Sequence, residues 1–536
     1  MKSSLVPLIA VNLILAAGSF AATINVGAPP ASIQAAINSA GNGDVIQLQS
    51  GTYVEDLIII GGANAKTNLT IEAAPGQTPV IEAANTAIPT PARGILGILS
   101  LFIEAVAGYP ADQPDQHGFL IEGNGTTLRN LTIRNNSIDG DGQFHEATAV
   151  QIAANDVRIE NCVIECDPAT NAGRCIYVFT GNLQVFDQAV QALGAPKVFG
   201  PAGYTQPLLT SSNLQVVNTT LRYGEALFDT TDFATYLGLL LSGETLYIPP
   251  VPSSGSFTNV EFDGGNLASG SSGLATCDGG TYTFDNCFFH DHRGDFTIGG
   301  GNQTFNDCTW QRALRDDHVE FNGSPEEGNS PIVATFNNCL FCGGGDAGRL
   351  VRVNEGTGTF NACIFDVTST DPNYRAIQYS PGDITQDYYI GVPGLDPPTQ
   401  TSCILDNCDV YAPSSIGVLA EDGPDSHEPP GTLTITDSIF QAAVGVSLTA
   451  DSPVALVANI NNNDIFAGTQ VSNTGSFTVN AASNLNVDPG YTAPGCDKDG
   501  FLYSNQALAT AGTNGSALGS QGPIAPSAII DWSLYQ

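Results

Sequence analysis

Apolar and polar positions alternate in short bursts along most of this chain, and the bursts resemble one another. Six segments read VRIENCVIEC, YTFDNCFFHD, QTFNDCTWQR, ATFNNCLFCG, GTFNACIFDV and SCILDNCDVY, placing Cys162, Cys287, Cys308, Cys339, Cys363 and Cys408 alike. LTITDSIFQA and TTLRNLTIRN put Ser438 and Leu131 at the equivalent position. Each segment is a short alternating strand, then Asn or Asp, then a small or apolar residue, then a second alternating strand. Period-two alternation predicts half-buried strands, and the Asn or Asp predicts a tight turn between them. From Cys287 to Cys408 the repeat advances by 21, 31, 24 and 45 residues, and the last step is long enough for two units.

A unit this short cannot bury its own apolar face, whereas stacked units share a continuous core. Short strands with Asn and Gly turns predict an all-β solenoid, a parallel β-helix, with rungs about 4.8 Å apart. Equivalent residues then form columns, and the Cys positions become an interior stack of small apolar thiols. Local disulfides, Cys166–Cys175 or Cys339–Cys342, are the alternative for part of that set. Zinc is disfavoured because no His spacing accompanies the Cys. The segment ASIQAAINSAGNGD predicts a capping helix. Ser32 is its N-cap, Ile33, Ala36, Ile37 and Ala40 recur at helical spacing, and Gly41 stops it.

The stretch SIQAAINSAGNGDVIQLQSGTYVEDLII resembles the opening of the right-handed parallel β-helix, or pectin-lyase-like, superfamily. The ending NVDPGYTAPGCDKDGFLYSNQ is similar to the tail of secreted members. The resemblance spans most of residues 24–525. It implies the fold, single-stranded and right-handed with an N-terminal cap, and leaves the activity open among polysaccharide lyases, glycosidases, esterases, epimerases, adhesins and tailspikes. The Asn-Thr-Asp, Gly-His-Gly and Arg-x-Lys motifs of pectin hydrolases are absent, and only RDDH supplies an Asp-Asp. No catalytic residue is therefore carried over from the family.

Charge narrows the partners. The formal net charge is −37, with 16 Lys and Arg against 53 Asp and Glu. This excludes general attraction to nucleic acid or anionic lipid. The start, MKSSLVPLIAVNLILAAGSFAA, reads as a signal peptide cut near Ala21 or Ala22, so a secreted or cell-surface protein is expected, with no membrane span. The expected organisation is signal peptide 1–22, β-helix 23–490 and a closing segment 491–536. Partly helical insertions are expected at about 90–117 and 186–255, including the apolar run 93–108.

A second pattern follows the Cys strands. RCIYVFTG, RGDFTIGG, RDDHVEFNG, RLVRVNEG and RAIQYSPG begin at Arg174, Arg293, Arg315, Arg349 and Arg375 and each ends at Gly. In a solenoid the last four predict neighbouring guanidinium groups. Two bare Arg at about 5 Å repel by roughly 3 kcal/mol at an effective dielectric of 20, so such a column needs anions between its rungs. One reading is a ladder neutralised by the chain's own acids. The other is a groove for an extracellular polysaccharide, since guanidinium forks hold carboxylate or sulfate. Asp295 and Asp317 each follow a ladder Arg by two residues, and His318 is adjacent. The candidate catalytic set is therefore Asp295, Asp317, His318 and Arg315, as the carboxylates of a glycosidase or the base and cation of a lyase. Arg293, Arg349, Arg375 and His290 are the candidate substrate-binding set. A loop at 135–146, NNSIDGDGQFHE, loosely matches a Ca²⁺ site, and no other cofactor is indicated. The competing class is a non-catalytic surface, adhesive or matrix scaffold.

Overall fold

The computed structural model describes residues 21–59, 66–84, 117–135, 148–168, 173–182, 208–224, 226–232, 251–265, 273–314, 317–321, 332–343, 348–381, 401–421, 430–450 and 455–523. Its strands pair in parallel along three stacks, and each coil gives one strand to each stack. The first stack runs from Thr23–Val26 to Thr478–Ala482. The second opens with Gly51–Val54 and the third with Leu57–Ile59. This is a three-sided parallel β-helix.

The corner between the first and second stacks is built by the repeat's Asn. Asn161, Asn218, Asn259, Asn286, Asn338 and Asn407 all have φ between 48° and 58°, the left-handed region that Asn tolerates. Neighbouring corners are tied together. Asn218 donates to Asn161 at 3.2 Å, Asn259 to Asn218 at 3.0 Å and Asn286 to Asn259 at 2.8 Å. The Cys after each corner points inward. Cys162, Cys287, Cys308, Cys339, Cys363 and Cys408 are free and buried, and Cys308, Cys363 and Cys408 thiols lie 3.2–3.3 Å from Phe carbonyls of the adjacent coil. Burial pushes the Cys162 thiol up to about 11, so it is an apolar filler and not a nucleophile.

The core is stacked as the strands are. At the first stack, aliphatic Ile71, Leu128, Ile159 and Val216 give way at Phe257 to Phe284, Phe305, Phe336 and Phe360. The rings of this column lie 4.6–4.9 Å apart. A parallel column, Phe262, Phe289, Trp310, Phe341 and Phe365, has spacings of 4.5–5.0 Å. Coil spacing sets these distances, which also suit offset aromatic contact.

The helix Ile33–Ser39 forms as its spacing predicts, with Ile33, Ala36 and Ile37 buried and Ser32 accepting from the Ala35 amide. Glu55, the acid after Gly-Thr-Tyr, completes the cap by accepting from the amides of Ile33 at 2.7 Å and Gln34 at 3.1 Å.

Three expectations change. The step from Cys363 to Cys408 is one coil, because residues 357–361 pair directly with 402–406. The segment 186–255 is not all insertion. Leu214–Val217, Thr220–Arg222 and Ala226–Asp232 form a regular coil, and 226–232, read as partly helical, is a strand on Arg174–Thr180. Ladder pairing of alternate side chains outweighs local propensity there. The cross-link is Cys342–Cys496, while Cys166, Cys175 and Cys339 are free. The run 93–108 and most of the loop 135–146 lie outside the described residues.

Cys496 belongs to a strap, residues 485–523, that folds back over the second stack. Phe501 packs with Leu340 and Ile364, while Tyr503, Leu508 and Leu518 cover Ile439. Buried Asp409 anchors the strap, accepting from the Tyr491 hydroxyl at 2.6 Å and from the Ser520 amide and hydroxyl at 2.6 and 2.5 Å.

Candidate carboxylate site

The third stack carries the predicted residues, and its register shows which of them meet. Phe296 pairs with Val319, which pairs with Val351. Arg349 pairs with Arg375 in the next coil, and Asp317 meets Arg349 through its side chain. Arg349 and Arg375 are thus the neighbours expected. Arg293 lies in the turn before Phe296, outside the paired residues. Arg315 lies outside the described residues.

Asp295 and Asp317 also precede the paired residues, by one and two positions. Their carboxylates still converge. Oxygens of Asp295, Asp317 and Glu320 all lie within 4.8 Å of one another. Two guanidinium groups hold this triad in place. Arg349 Nε donates to Asp317 at 2.7 Å and Arg352 Nη1 to Glu320 at 2.8 Å. The Thr297 hydroxyl donates to Asp295 at 3.1 Å. Asp317 is fully buried, whereas Asp295 and Glu320 are half-buried and reach the surface. The triad could hold a hard cation through oxygen ligands.

Glu320 and Arg352 escaped the sequence reading. They occupy the column next to the ladder Arg, with Thr297 before them and Gln378 after them. The signal lay in the alternation of RDDHVEF and RLVRV, where Glu320 and Arg352 each follow the inward Val by one residue.

The histidines divide. His318, expected to be catalytic, is fully buried and serves the core. Its Nδ1 lies 3.0 Å from His292 Nε2 and its Nε2 lies 3.0 Å from the Cys342 carbonyl oxygen. His292 Nδ1 lies 2.6 Å from the Gly294 carbonyl, so the two rings bridge two coil turns. Burial holds His292 down to about 4 and His318 well below its ordinary value.

His290 is on the second stack. Glu261 lies 3.1 Å from its Nε2, and Asp291 2.8 Å from its Nδ1. Arg312 grips both Asp291 oxygens at 2.7 Å. That guanidinium holds the Asp291 carboxyl below its usual range and lies 3.0 Å from His290 Nδ1. Charge neutralisation is general along the ladders. Arg375 lies 3.4 Å from Glu421, and Arg174 2.5 Å from Asp229.

No protein-family model matches the chain, and no curated protein matches it. Solved structures similar to it include an alginate lyase from Paenibacillus sp., at 12% identity over 72% of this chain and 94% of that one, with a TM-score of 0.37. A pectate lyase aligns at 10% identity over 95% and 98%, with a TM-score of 0.32. A polygalacturonase from Erwinia carotovora ssp. carotovora aligns at 9% identity over 86% and 97%, with a TM-score of 0.31. The chain's own strand register makes it a parallel β-helix, the architecture that its resemblance to the pectin-lyase-like superfamily implied.

Proposed function

We propose that this is a secreted protein that binds an extracellular polysaccharide along the third stack and hydrolyses it at Asp295 and Glu320. The convergence of Asp295, Asp317 and Glu320 within 4.8 Å carries this reading. Glycosidases that retain configuration use two carboxyl groups about 5 Å apart, one as acid and one as nucleophile. Arg352 pairs with Glu320 and Arg349 with Asp317. Two fixed anions beside a third carboxyl favour a proton on that third group. Asp295 is therefore assigned as the acid, Glu320 as the nucleophile and Asp317 as a fixed counter-charge for Arg349.

The net charge of −37 argues for a neutral glycan over a uronate polymer. It also argues against lyase chemistry, which needs a carboxylate on the substrate and a cation free to meet it. Arg349 and Arg352 are already engaged with the chain's own acids.

The test is release of reducing ends from a panel of neutral and acidic polysaccharides. Neutral glycans should be cleaved, and Glu320→Gln and Asp295→Asn should each abolish cleavage while leaving binding. A scaffold role is the second reading, favoured by the neutralised Arg ladders. It takes over if no glycan is cut and the two variants behave as wild type in binding.

A further inference from the structure

The first stack changes its outward chemistry partway up. In its lower coils Glu72, Arg129 and Glu160 share a column, with Arg158 beside them. Arg129 bridges Glu72 at 3.3 Å and Glu160 at 3.2 Å. From the coil at 254–258 to that at 478–482 these pairs disappear. Nine coils remain in register there, with no bulge in the shared strands. Of their outward positions only Asp285 and Asp406 are charged, both in the column nearest the Asn corner.

Thr283, Thr304, Thr335 and Thr359 stack directly in the middle column, where Ile404 and then Thr434 follow. Thr281, Thr357 and Thr432 stand two residues before Thr283, Thr359 and Thr434, making Thr-x-Thr rungs. The corner column is self-satisfied. Asn306 donates to Asp285 at 2.7 Å, Asn337 to Asn306 at 2.8 Å and Asn361 to Asn337 at 2.9 Å. The hydroxyls of Thr283, Thr304, Thr335 and Thr359 make no hydrogen bond to protein among the described residues.

Strand propensity does not require this composition. In the lower coils the middle column reads Val45, Thr70, Thr127, Arg158 and Gln215, and the corner column Gln47, Glu72, Arg129, Glu160 and Val217. What the upper face offers is a flat array of methyl and hydroxyl groups. It repeats at about 4.8 Å up the stack and about 6.6 Å across it. An uncharged face on a molecule of net charge −37 matches an uncharged partner. No aromatic side chain stands outward on it, as a platform for sugar rings would require. A periodic partner made only of hydroxyl-like donors and acceptors is ordered water.

We propose that this face, centred on Thr283, Thr304, Thr335 and Thr359, binds the surface of ice. Methyl groups order the water above them, and the regularly spaced hydroxyls anchor that layer to the crystal. The site is separate from the carboxylates of the third stack, so the two proposals stand or fall independently.

The experiment uses the purified full chain in a freezing-point osmometer with single ice crystals. Thermal hysteresis and faceted crystals are expected. Thr304→Tyr and Thr335→Tyr should lose both, because a bulky ring lifts the array off the crystal plane. Thr127→Tyr, in the same column of the charged coils, should keep both. If a Tyr variant melts lower than wild type, Thr304→Lys replaces it, with the same loss expected. Round, unshaped crystals and no hysteresis at the solubility limit of the wild type overturn the proposal. So does an equal loss in Thr127→Tyr.

Discussion

The lower and upper coils of this cylinder share one backbone plan and differ in what they place on it. Below residue 254, the first two stacks carry alternating charges. Arg129 lies between Glu72 and Glu160, and Glu165 between Arg134 and Arg222 at 2.6 and 2.5 Å. Above it, the first stack turns to Thr and Asn, and the strap covers the second at Leu340, Ile364 and Ile439. The interior changes at the same level, from aliphatic to stacked aromatic columns. The contrast teaches that the coil fixes only spacing. With equivalent residues about 4.8 Å apart, like charges repel, so a column is stable if its signs alternate, if it is uncharged or if something covers it. This chain uses all three solutions.

The largest effect should come from the shared interior. Trp310 is fully buried between Phe289 and Phe341 at 4.6 and 4.7 Å. Trp310→Ala should cost about 3–5 kcal/mol, read by denaturant unfolding. Hydrogen exchange should then show protection lost most strongly in the upper coils.

The strap gives the next largest effect. Burial raises Asp409 to about 6, despite donors from Ser520 and Tyr491. An acid raised on folding binds more protons in the native state, so its contribution weakens as pH rises from about 4 to about 6 and is flat above. The change should be on the order of 2–3 kcal/mol. The protection factors of the 491–520 amides should therefore fall across that window, and Asp409→Asn should remove that fall.

The charged coils should show a smaller effect of opposite sign. Arg158 and Arg129 lower Glu160 from its ordinary value. Its contribution is full above about pH 4.5 and is lost as pH falls through its native value. Glu160 is partly exposed, so Glu160→Gln should cost only about 0.5–1 kcal/mol at pH 7, less at high salt, with the penalty shrinking as pH falls below that range. The smallest effect should follow from giving the upper face the chemistry of the lower one. Thr304→Arg with Thr335→Glu should change stability by less than about 0.5 kcal/mol. Measured by thermal melting, that result would show that the hydroxyl face is not needed for folding.

The candidate site was legible only in part. Asp295 and Asp317 were visible because each follows an Arg of the repeat, and Arg349 beside Arg375 followed from the same alignment. Their true neighbour, Glu320, was not, because it lies in a different column from the Arg used to align the segments. His318 looked chemical because it sits among charges in RDDH, yet its side chain turns into the corner against His292. Sequence proximity gave no information on that direction, since a corner residue can face either way.

The sequence by itself determined the coil. Alternation fixes which side chains enter the core, Asn fixes the left-handed corner, and the Cys position fixes the thiol column, because these are local properties of a strand and a turn. Only the tertiary structure decided register, and with it the triad of Asp295, Asp317 and Glu320, the Cys342–Cys496 bond and the strap on Asp409. Coil lengths vary with the insertions, so two residues a coil apart in space stand as near in the chain as Asp285 and Asn306 or as far as Leu57 and Phe119. No local pattern encodes that separation.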